Sequence, residues 1–246
     1  LRSLLGAIYA ATNQSCTITL MAHSMGGLVA RAYLEVLASG DPWFGSIKQL
    51  ITIATPHLGA PAALGAISDN FAGLGPPTIP LPTSMDVVVW QFVNSSFDST
   101  FELLPPPGNA FVNDGGSVKS IFPYSGLSAG LQSFLASKKF STTNAQDAAA
   151  FLQTLSYKGA IPYFLLYGTG NSTAVGYTFA NNALNVNNGD GDTIVPTPSG
   201  SFAGTKVAAT VAVPDSTHLQ LPGNATVIAQ IRQWMGLPAA VADAAA

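Results

Sequence analysis

Short apolar runs alternate with helical patterns at both ends of the chain. Leucine and isoleucine recur at helical spacing near the start, which predicts an amphipathic helix over residues 1–11. Four runs rich in Val, Ile, Leu and Thr predict buried strands at 17–22, 47–54, 161–167 and 206–213. Further helices are predicted at 28–37, at 145–157 and between an N-cap at Asn224 and a stop at Gly236. This alternation predicts an α/β fold, with a parallel sheet flanked by helices.

The regular pattern is lost between residues 59 and 145, a stretch too long for a plain connection. It holds nine of the 17 prolines, and no Lys or Arg occurs between Lys48 and Lys119. Its aromatic side chains include Trp90, Phe92, Phe97 and Phe101. We expect an inserted cap at 59–145 that covers the site, between an N-terminal core part at 1–58 and a C-terminal core part at 146–246. The alternative is a meandering loop over the sheet edge.

Composition excludes several classes of protein. Hydrophobic residues make up 48% of the 246 positions and charged residues only 9%, against about 25% charged in an average soluble domain. A disordered segment needs low hydrophobicity and high charge, and a nucleic-acid-binding domain needs a basic face. Nine Lys and Arg against twelve Asp and Glu supply neither. The chain is therefore expected to fold, with no nucleic-acid partner.

The cysteine count and the hydropathy exclude further kinds of site and segment. Cys16 is the only cysteine, which excludes an internal disulfide and a multi-cysteine metal site. No apolar run approaches the roughly 20 residues needed to cross a bilayer, so no transmembrane segment is expected. The positive mean hydropathy of +0.33 favours a surface that tolerates peripheral contact with lipid.

One predicted turn carries the residue pattern of an activated serine. Ala22, Ser24 and Gly26 lie between the first strand and the following helix, in the pattern A-x-S-x-G. A sharp strand-to-helix turn requires small residues two positions either side of the serine, and it points the hydroxyl out of the sheet. The amide of Met25, at the start of the helix, could then face a developing oxyanion. The alternative is a serine that only caps the helix.

A serine hydroxyl needs a base to accept its proton, and three histidines are available. His218 follows the last predicted strand in a loop, which is the position of the base in this order of elements. His57, on the loop after the second strand, is the weaker candidate. His23 adjoins Ser24, and because adjacent side chains diverge at a sharp turn, we expect it to support the site rather than act as the base.

The base in turn needs a carboxylate that orients it. Asp192 lies in a glycine-rich stretch, three residues before Val195, and gives the chain order Ser, Asp, His. Asp190 is the competitor, and Asp215 stays open although it lies close in sequence to His218. The Gly-Asp-Gly-Asp spacing fits neither an EF-hand nor a repeated calcium-binding nonapeptide. No metal and no cofactor are therefore expected.

The whole chain resembles the α/β-hydrolase superfamily, and within it the lecithin:cholesterol acyltransferase-like group of lipases and acyltransferases. The resemblance is carried by AHSMGGLVARAYLE at 22–35, IATPHLGAP at 53–61, SSFDSTFELLPPP at 95–107, GDGDTIVP at 189–196 and STHLQLPGN at 216–224. It implies an α/β-hydrolase fold with an inserted cap. The roles that it implies are nucleophile for Ser24, orienting acid for Asp192, base for His218 and one oxyanion donor for the Met25 amide.

The resemblance also implies that part of the fold is missing. Members of the superfamily have a strand and a glycine-containing loop upstream of the nucleophile, and that loop supplies the second oxyanion donor. Nothing precedes Leu1 here, so we expect a piece of a longer precursor that lacks its N-terminal strands. The usual location of family members and the low charge of the chain favour a secreted or membrane-peripheral location. Sequons, which accept glycans in secreted eukaryotic proteins, occur at Asn13, Asn94, Asn171 and Asn224.

These features favour a serine ester hydrolase, of the lipase or phospholipase kind, that cleaves apolar acyl esters through an acyl-enzyme on Ser24. Transfer of the acyl group from a phospholipid to an alcohol uses the same intermediate and stays open. A lipid-binding protein that keeps the fold without the reaction is the third hypothesis. The expected partner is a lipid or another apolar ester, and the absence of basic residues in much of the predicted cap favours neutral or zwitterionic lipids.

Overall fold

The computed structural model describes residues 1–68 and 97–238. Trp90 and Phe92, which the sequence places in the predicted cap, and the sequon at Asn94 lie outside the described residues. The helices are α1 (Arg2–Ala11), α2 (Met25–Ala32), α3 (Ala62–Ile67), α4 (Asp98–Phe101), α5 (Ala129–Ser137), α6 (Thr142–Thr154), α7 (Thr197–Gly200) and α8 (Ala225–Trp234). The strands are β1 (Ile18–His23), β2 (Ile47–Ile53), β3 (Val112–Asp114), β4 (Ser117–Lys119), β5 (Tyr163–Thr169), β6 (Asn171–Ala180), β7 (Ala183–Gly191) and β8 (Ala209–Pro214).

The four predicted strands form one parallel sheet, in the order β1-β2-β5-β8. The predicted parallel sheet with flanking helices is therefore confirmed. The strands are in step at their carboxyl ends: His23 of β1 lies opposite Ile53 of β2, which lies opposite Leu166 of β5. The loops that leave β1, β5 and β8 consequently meet at one edge of the sheet, where the candidate residues lie.

Both faces of the central strands β2 and β5 are covered, and these strands carry apolar residues at successive positions that point alternately to the two sides. Leu50 of β2 packs with residues of α2 and of the π-helix that follows it at Tyr33–Leu37. Its neighbour Ile51 packs on the opposite side with Val227 of α8. The Asn224 side chain accepts a hydrogen bond from the Thr226 amide and caps α8, as the sequence predicts.

A second sheet, in the order β4-β3-β6-β7, is not predicted by the sequence pattern. We expected the glycine-rich stretch around Asp192, at 188–196, to be a loop, but its first residues belong to β7, and 171–191 form a long antiparallel hairpin. Its turn is Asn181-Asn182, and both residues have positive φ, 51° and 56°. Two consecutive left-handed residues give the twist that closes a two-residue hairpin, and Asn tolerates this conformation well.

The second sheet shares a hydrophobic core with α3, α4, α5 and α6. Its completely buried side chains include Leu64, Phe101, Leu131 and Leu135. Strand β3 comes from the predicted insertion and β6 from the predicted C-terminal core part, and they pair in parallel. The predicted boundary at residue 145 falls within α6. No helix in the described ranges has both the length and the hydropathy of a bilayer-crossing segment.

Candidate active site

Ser24 occupies the sharp turn between β1 and α2. Its φ of 56° and ψ of −133° lie outside the regions that L-residues ordinarily adopt. The strained residue is held because its amide donates to the Ile53 carbonyl at 2.9 Å, at the end of the neighbouring strand. A strained backbone at a residue whose side chain leaves the edge of a sheet is typical of functional sites.

The crowding at this turn differs from the expectation in one respect. A Cβ added at Gly26 would meet only the Ala22 Cβ, at 3.7 Å, which is ordinary van der Waals contact. A Cβ added at Gly27 would lie 2.0 Å from the Thr55 Oγ1. The close approach of helix to neighbouring chain that the sequence reasoning attributed to position 26 is therefore made at Gly27.

The structure brings Ser24, His218 and Asp192 into one hydrogen-bonded chain. The Nε2 atom of His218 lies 2.9 Å from the Ser24 Oγ, and its Nδ1 atom lies 2.8 Å from the Asp192 Oδ2. A carboxylate only accepts, so Nδ1 carries the proton when the ring is neutral, and Nε2 is left as an acceptor for the serine hydroxyl. The arrangement suits transfer of the Ser24 proton to His218.

The carboxylate of Asp192 is fixed by its own loop. The amides of Ile194 and Val195 donate to its Oδ1 at 3.0 and 2.7 Å, which leaves Oδ2 for His218. Only 1% of Asp192 is exposed to solvent. A Cβ added at Gly168, near the end of β5, would lie 2.6 Å from the Asp192 Cβ, so the loop reaches this position only because residue 168 is glycine.

The loop that carries His218 is held by Asn224 and Asn171, for which the sequence predicts a helix cap and sequons but no role in the site. Asn224 donates to the Ser216 Oγ at 2.7 Å with the amide nitrogen that its capping role leaves free. Asn171 donates to the Ser216 carbonyl at 3.2 Å. Both residues lie in predicted sequons, and these contacts engage the amide nitrogen to which a glycan would be attached. An asparagine near the histidine motif was the available signal.

The other acidic and histidine candidates lie elsewhere. Asp190 accepts hydrogen bonds from the Gly170 amide and the Thr197 hydroxyl, and the Thr197 contact, with that amide, lowers the pKa of its carboxyl. His57 is buried, 3.0 Å from the Thr52 Oγ1 and stacked on Phe202. Burial, helped by the charge of Arg31, holds its pKa well below the usual value.

The remaining acidic candidate, Asp215, has a positive φ of 55°. Its amide donates to the Thr169 carbonyl at 2.9 Å, at the end of β5. Thr193, immediately after Asp192, also has a positive φ, 87°. Non-glycine residues in this region are uncommon, and for a β-branched residue such as Thr193 the conformation is strained. Strained backbone therefore occurs at Ser24, beside Asp192 and in the loop before His218.

Met25 is the first residue of α2, so its amide has no acceptor within the helix. It lies beside Ser24, at the amino end of the helix dipole, where a developing negative charge is stabilised. Apolar side chains border the same region. Met25 is 40% exposed, and Leu219, which follows His218, is 63% exposed. Within the described ranges, no group of three or more His, Cys, Asp or Glu is placed to hold a metal ion.

Comparisons with known proteins bear on the fold. A family model described as PGAP1-like alpha/beta domain matches residues 3–73, which include the Ser24 turn. Among solved structures, a chain of the Tle4–Tli4 complex superposes with a TM-score of 0.59 at 15% identity, over 91% of this chain and 61% of that one. The chain has the α/β-hydrolase fold. It spans less than two thirds of the length of that relative.

Other solved structures align less well with this chain. Bacillus licheniformis lipase BlEst2 in its mature form gives a TM-score of 0.45 at 15% identity, over 96% of this chain and 70% of that one. EstA from Clostridium botulinum gives 0.40 at 16% identity, over 84% and 60%. A comparison with curated proteins finds no match. The fold that the resemblance implies is confirmed by the match to the Tle4–Tli4 chain, while the narrower lecithin:cholesterol acyltransferase-like group stays a prediction.

Proposed function

We propose that this α/β-hydrolase is a serine ester hydrolase that cleaves apolar acyl esters. The observation that carries the proposal is the hydrogen-bonded order Asp192, His218, Ser24, with contacts of 2.8 and 2.9 Å. A protein that kept the fold only to bind lipid would have no need of all three groups in this order. The strained backbone of Ser24 supports the same reading.

The reaction follows from the protonation states of the three groups. His218 accepts the Ser24 proton at Nε2 as Oγ attacks the ester carbonyl, and Asp192 stabilises the imidazolium that forms. His218 then returns the proton to the leaving alcohol, and an acyl-enzyme remains on Ser24. Water attacks the acyl-enzyme with His218 again as base, so the fatty acid is released and Ser24 is restored.

The oxyanion of each tetrahedral intermediate would lie near the start of α2. Met25 directly follows the nucleophile in the sequence, and its amide has no acceptor within the helix. One such donor contributes about 10² to 10³ in kcat in other enzymes of this chemistry. We assign Met25 as one oxyanion donor.

The apolar border of the site supports an apolar ester as the substrate. Met25 and Leu219 expose much of their side chains directly beside the nucleophile and the base. Val29, one helical turn after Met25, is 54% exposed. Exposed apolar side chains grouped at a site are typical of surfaces that bind lipid or apolar ligands. We therefore propose a lipase-like or phospholipase-like substrate range.

A series of p-nitrophenyl esters of increasing acyl length tests both parts of the proposal. We expect hydrolysis by the wild type, with kcat/KM rising up to about fourfold per added methylene, because burial of each contributes about 0.8 kcal/mol. Ser24→Ala should abolish turnover, and Ser137→Ala, at an exposed serine on α5, should leave it unchanged.

Product analysis in the presence of a long-chain alcohol completes this test. Free acid as the main product supports hydrolysis, whereas an acyl-alcohol ester as the main product assigns the same intermediate to acyl transfer. Turnover that persists in Ser24→Ala contradicts the proposed nucleophile. A wild type that binds the esters without cleaving them contradicts the proposed reaction.

A further inference from the structure

His23 contacts the histidine assigned as base, although neighbouring side chains at a sharp turn were expected to diverge. Its Nε2 atom lies 3.1 Å from the His218 main-chain carbonyl oxygen. The two imidazole rings are 4.8 Å apart between centroids and inclined at 42°. The side chains of residues 23 and 24 therefore both contact His218, the first at its main-chain carbonyl and the second at its ring.

The direction of this hydrogen bond is fixed by chemistry. A carbonyl oxygen only accepts, so the Nε2 atom of His23 must carry the proton. The donor is present whether His23 is neutral in this tautomer or protonated. The bond therefore ties the last residue of β1 to the main chain of the base in either state.

The main chain of His218 is held at both of its polar groups. Its amide donates to the Asp192 carbonyl at 2.6 Å, and its carbonyl accepts from His23. The first contact joins the base to the loop of the orienting acid. The second joins it to the last residue of β1, which immediately precedes Ser24. The position of the imidazole between Ser24 and Asp192 is thereby tied to both partners through the backbone.

The charge of His23 matters as well as its donor. Half-burial and the neighbouring His218 lower the pKa of His23, which keeps the ring neutral near neutral pH. A second positive charge at this distance would oppose formation of the His218 imidazolium. The other charged groups that face His23 are Asp192, and Arg232 of α8, which lines the same groove beside β1.

We propose that His23 is a positioning residue for the base: its Nε2–H tethers the His218 main chain to the end of β1 and so sets the distance from the His218 ring to Ser24. The assignment rests on the proposed function insofar as it concerns turnover. The tether itself is a feature of the folded chain and can be measured without turnover.

Three substitutions at position 23 separate a tether from simple packing. The side-chain amide of His23→Gln reaches the place of the imidazole Nε2, whereas that of His23→Asn reaches only the place of Nδ1. His23→Ala removes the donor altogether. In full-length protein, kcat and KM for a p-nitrophenyl ester are compared with the NMR signal of the His218 Nδ1 proton, which is shielded from solvent exchange while the ring stays on Asp192.

We expect His23→Gln to keep the NMR signal and most of kcat. His23→Asn and His23→Ala should lose the signal to exchange and lower kcat by about 10- to 100-fold, with KM little changed, because small misplacements of a catalytic group carry costs of this size. Equal values for Gln and Asn, or a signal and kcat that persist in all three variants, would overturn the tether. If the wild type cleaves no ester while the NMR pattern holds, the proposed function fails and the tether stands.

Discussion

Asp190 and Asp192 stand two residues apart, yet their carboxylates have different partners. Asp192 is buried and reaches His218, because two amides of its own loop occupy the other carboxylate oxygen. Asp190 is exposed and bonded to Gly170 and Thr197. Spacing in the sequence favoured Asp192 through its distance from Val195, and the Val195 amide is the physical reason for that spacing.

Substitution of the two aspartates should separate their roles. Asp192→Asn keeps the size of the side chain but removes the charge that stabilises the imidazolium and the acceptor that fixes its tautomer. We expect kcat to fall by about 10⁴, as in other enzymes with this arrangement. Asp190→Asn should change kcat by less than about tenfold. Steady-state kinetics on a p-nitrophenyl ester measures both, and equal losses would assign the wrong carboxylate.

Among the elements, the turn from β1 into α2 depends on one close packing contact. Gly27 lies against Thr55, which is buried and follows the end of β2. Gly26, two residues after the nucleophile, has room for a methyl group. Gly26, the small residue of the serine motif, is therefore not the residue that lets α2 approach Thr55, which is Gly27.

Alanine at Gly27 should destabilise the fold, whereas alanine at Gly26 should change its stability little. Gly27→Ala forces its Cβ into the Thr55 side chain, and overpacking of this kind costs about 1–3 kcal/mol. Gly26→Ala meets no obstacle and should change the free energy of unfolding by less than about 0.5 kcal/mol. Urea unfolding of the two variants measures this difference. A Gly27→Ala variant as stable as Gly26→Ala would show that the helix can shift away from Thr55 at little cost.

The sequence predicts the elements of the parallel sheet well because buried parallel strands are apolar at nearly every position. It predicts the hairpin of β6 and β7 poorly. Residues 183–191 are polar and mostly exposed, so they resemble a loop in composition. They pair with β6, whose other edge pairs with β3, far away in sequence. The one local signal was Asn181-Asn182, a pair suited to a hairpin turn.

The candidate site was predictable in its three principal residues because motif spacing and chain order carry that information. The contacts that hold these three residues in place were not predictable. The contact between His23 and His218 joins positions 195 apart. The contact between Gly168 and Asp192 depends on the close approach of the end of β5 to the loop after β7. Such contacts follow from tertiary packing and leave no periodic trace in the sequence.

In the molecule as a whole, the ionisation of His57 makes the free energy of unfolding depend on pH. The folded protein keeps its pKa well below 6.5 by burial, while the unfolded chain takes up a proton near that value. Below about pH 6.5 the unfolded state therefore binds one more proton, and stability falls as the pH is lowered. One such proton corresponds to a slope of about 1.4 kcal/mol per pH unit.

His57→Gln isolates this contribution, because its amide can still meet Thr52 but does not titrate in this range. We expect the variant to be less stable than the wild type at pH 7, having lost the stacking on Phe202. Between pH 6.5 and 5, its free energy of unfolding in urea should decline less steeply than that of the wild type. His23 titrates in both proteins, so the difference in slope belongs to His57. Parallel curves would mean that His57 is protonated in the folded state.

The most direct measurement of the central claim is the location and rate of labelling by a fluorophosphonate, a reagent that reacts with serines activated by a base. We expect a single adduct, found by mass spectrometry on the peptide that contains Ser24. We also expect His218→Ala to slow labelling by about three orders of magnitude, since the hydroxyl then keeps its proton. An adduct on another residue would show that Ser24 is not the nucleophile, and labelling of Ser24 that is as fast without His218 would show that His218 is not its base.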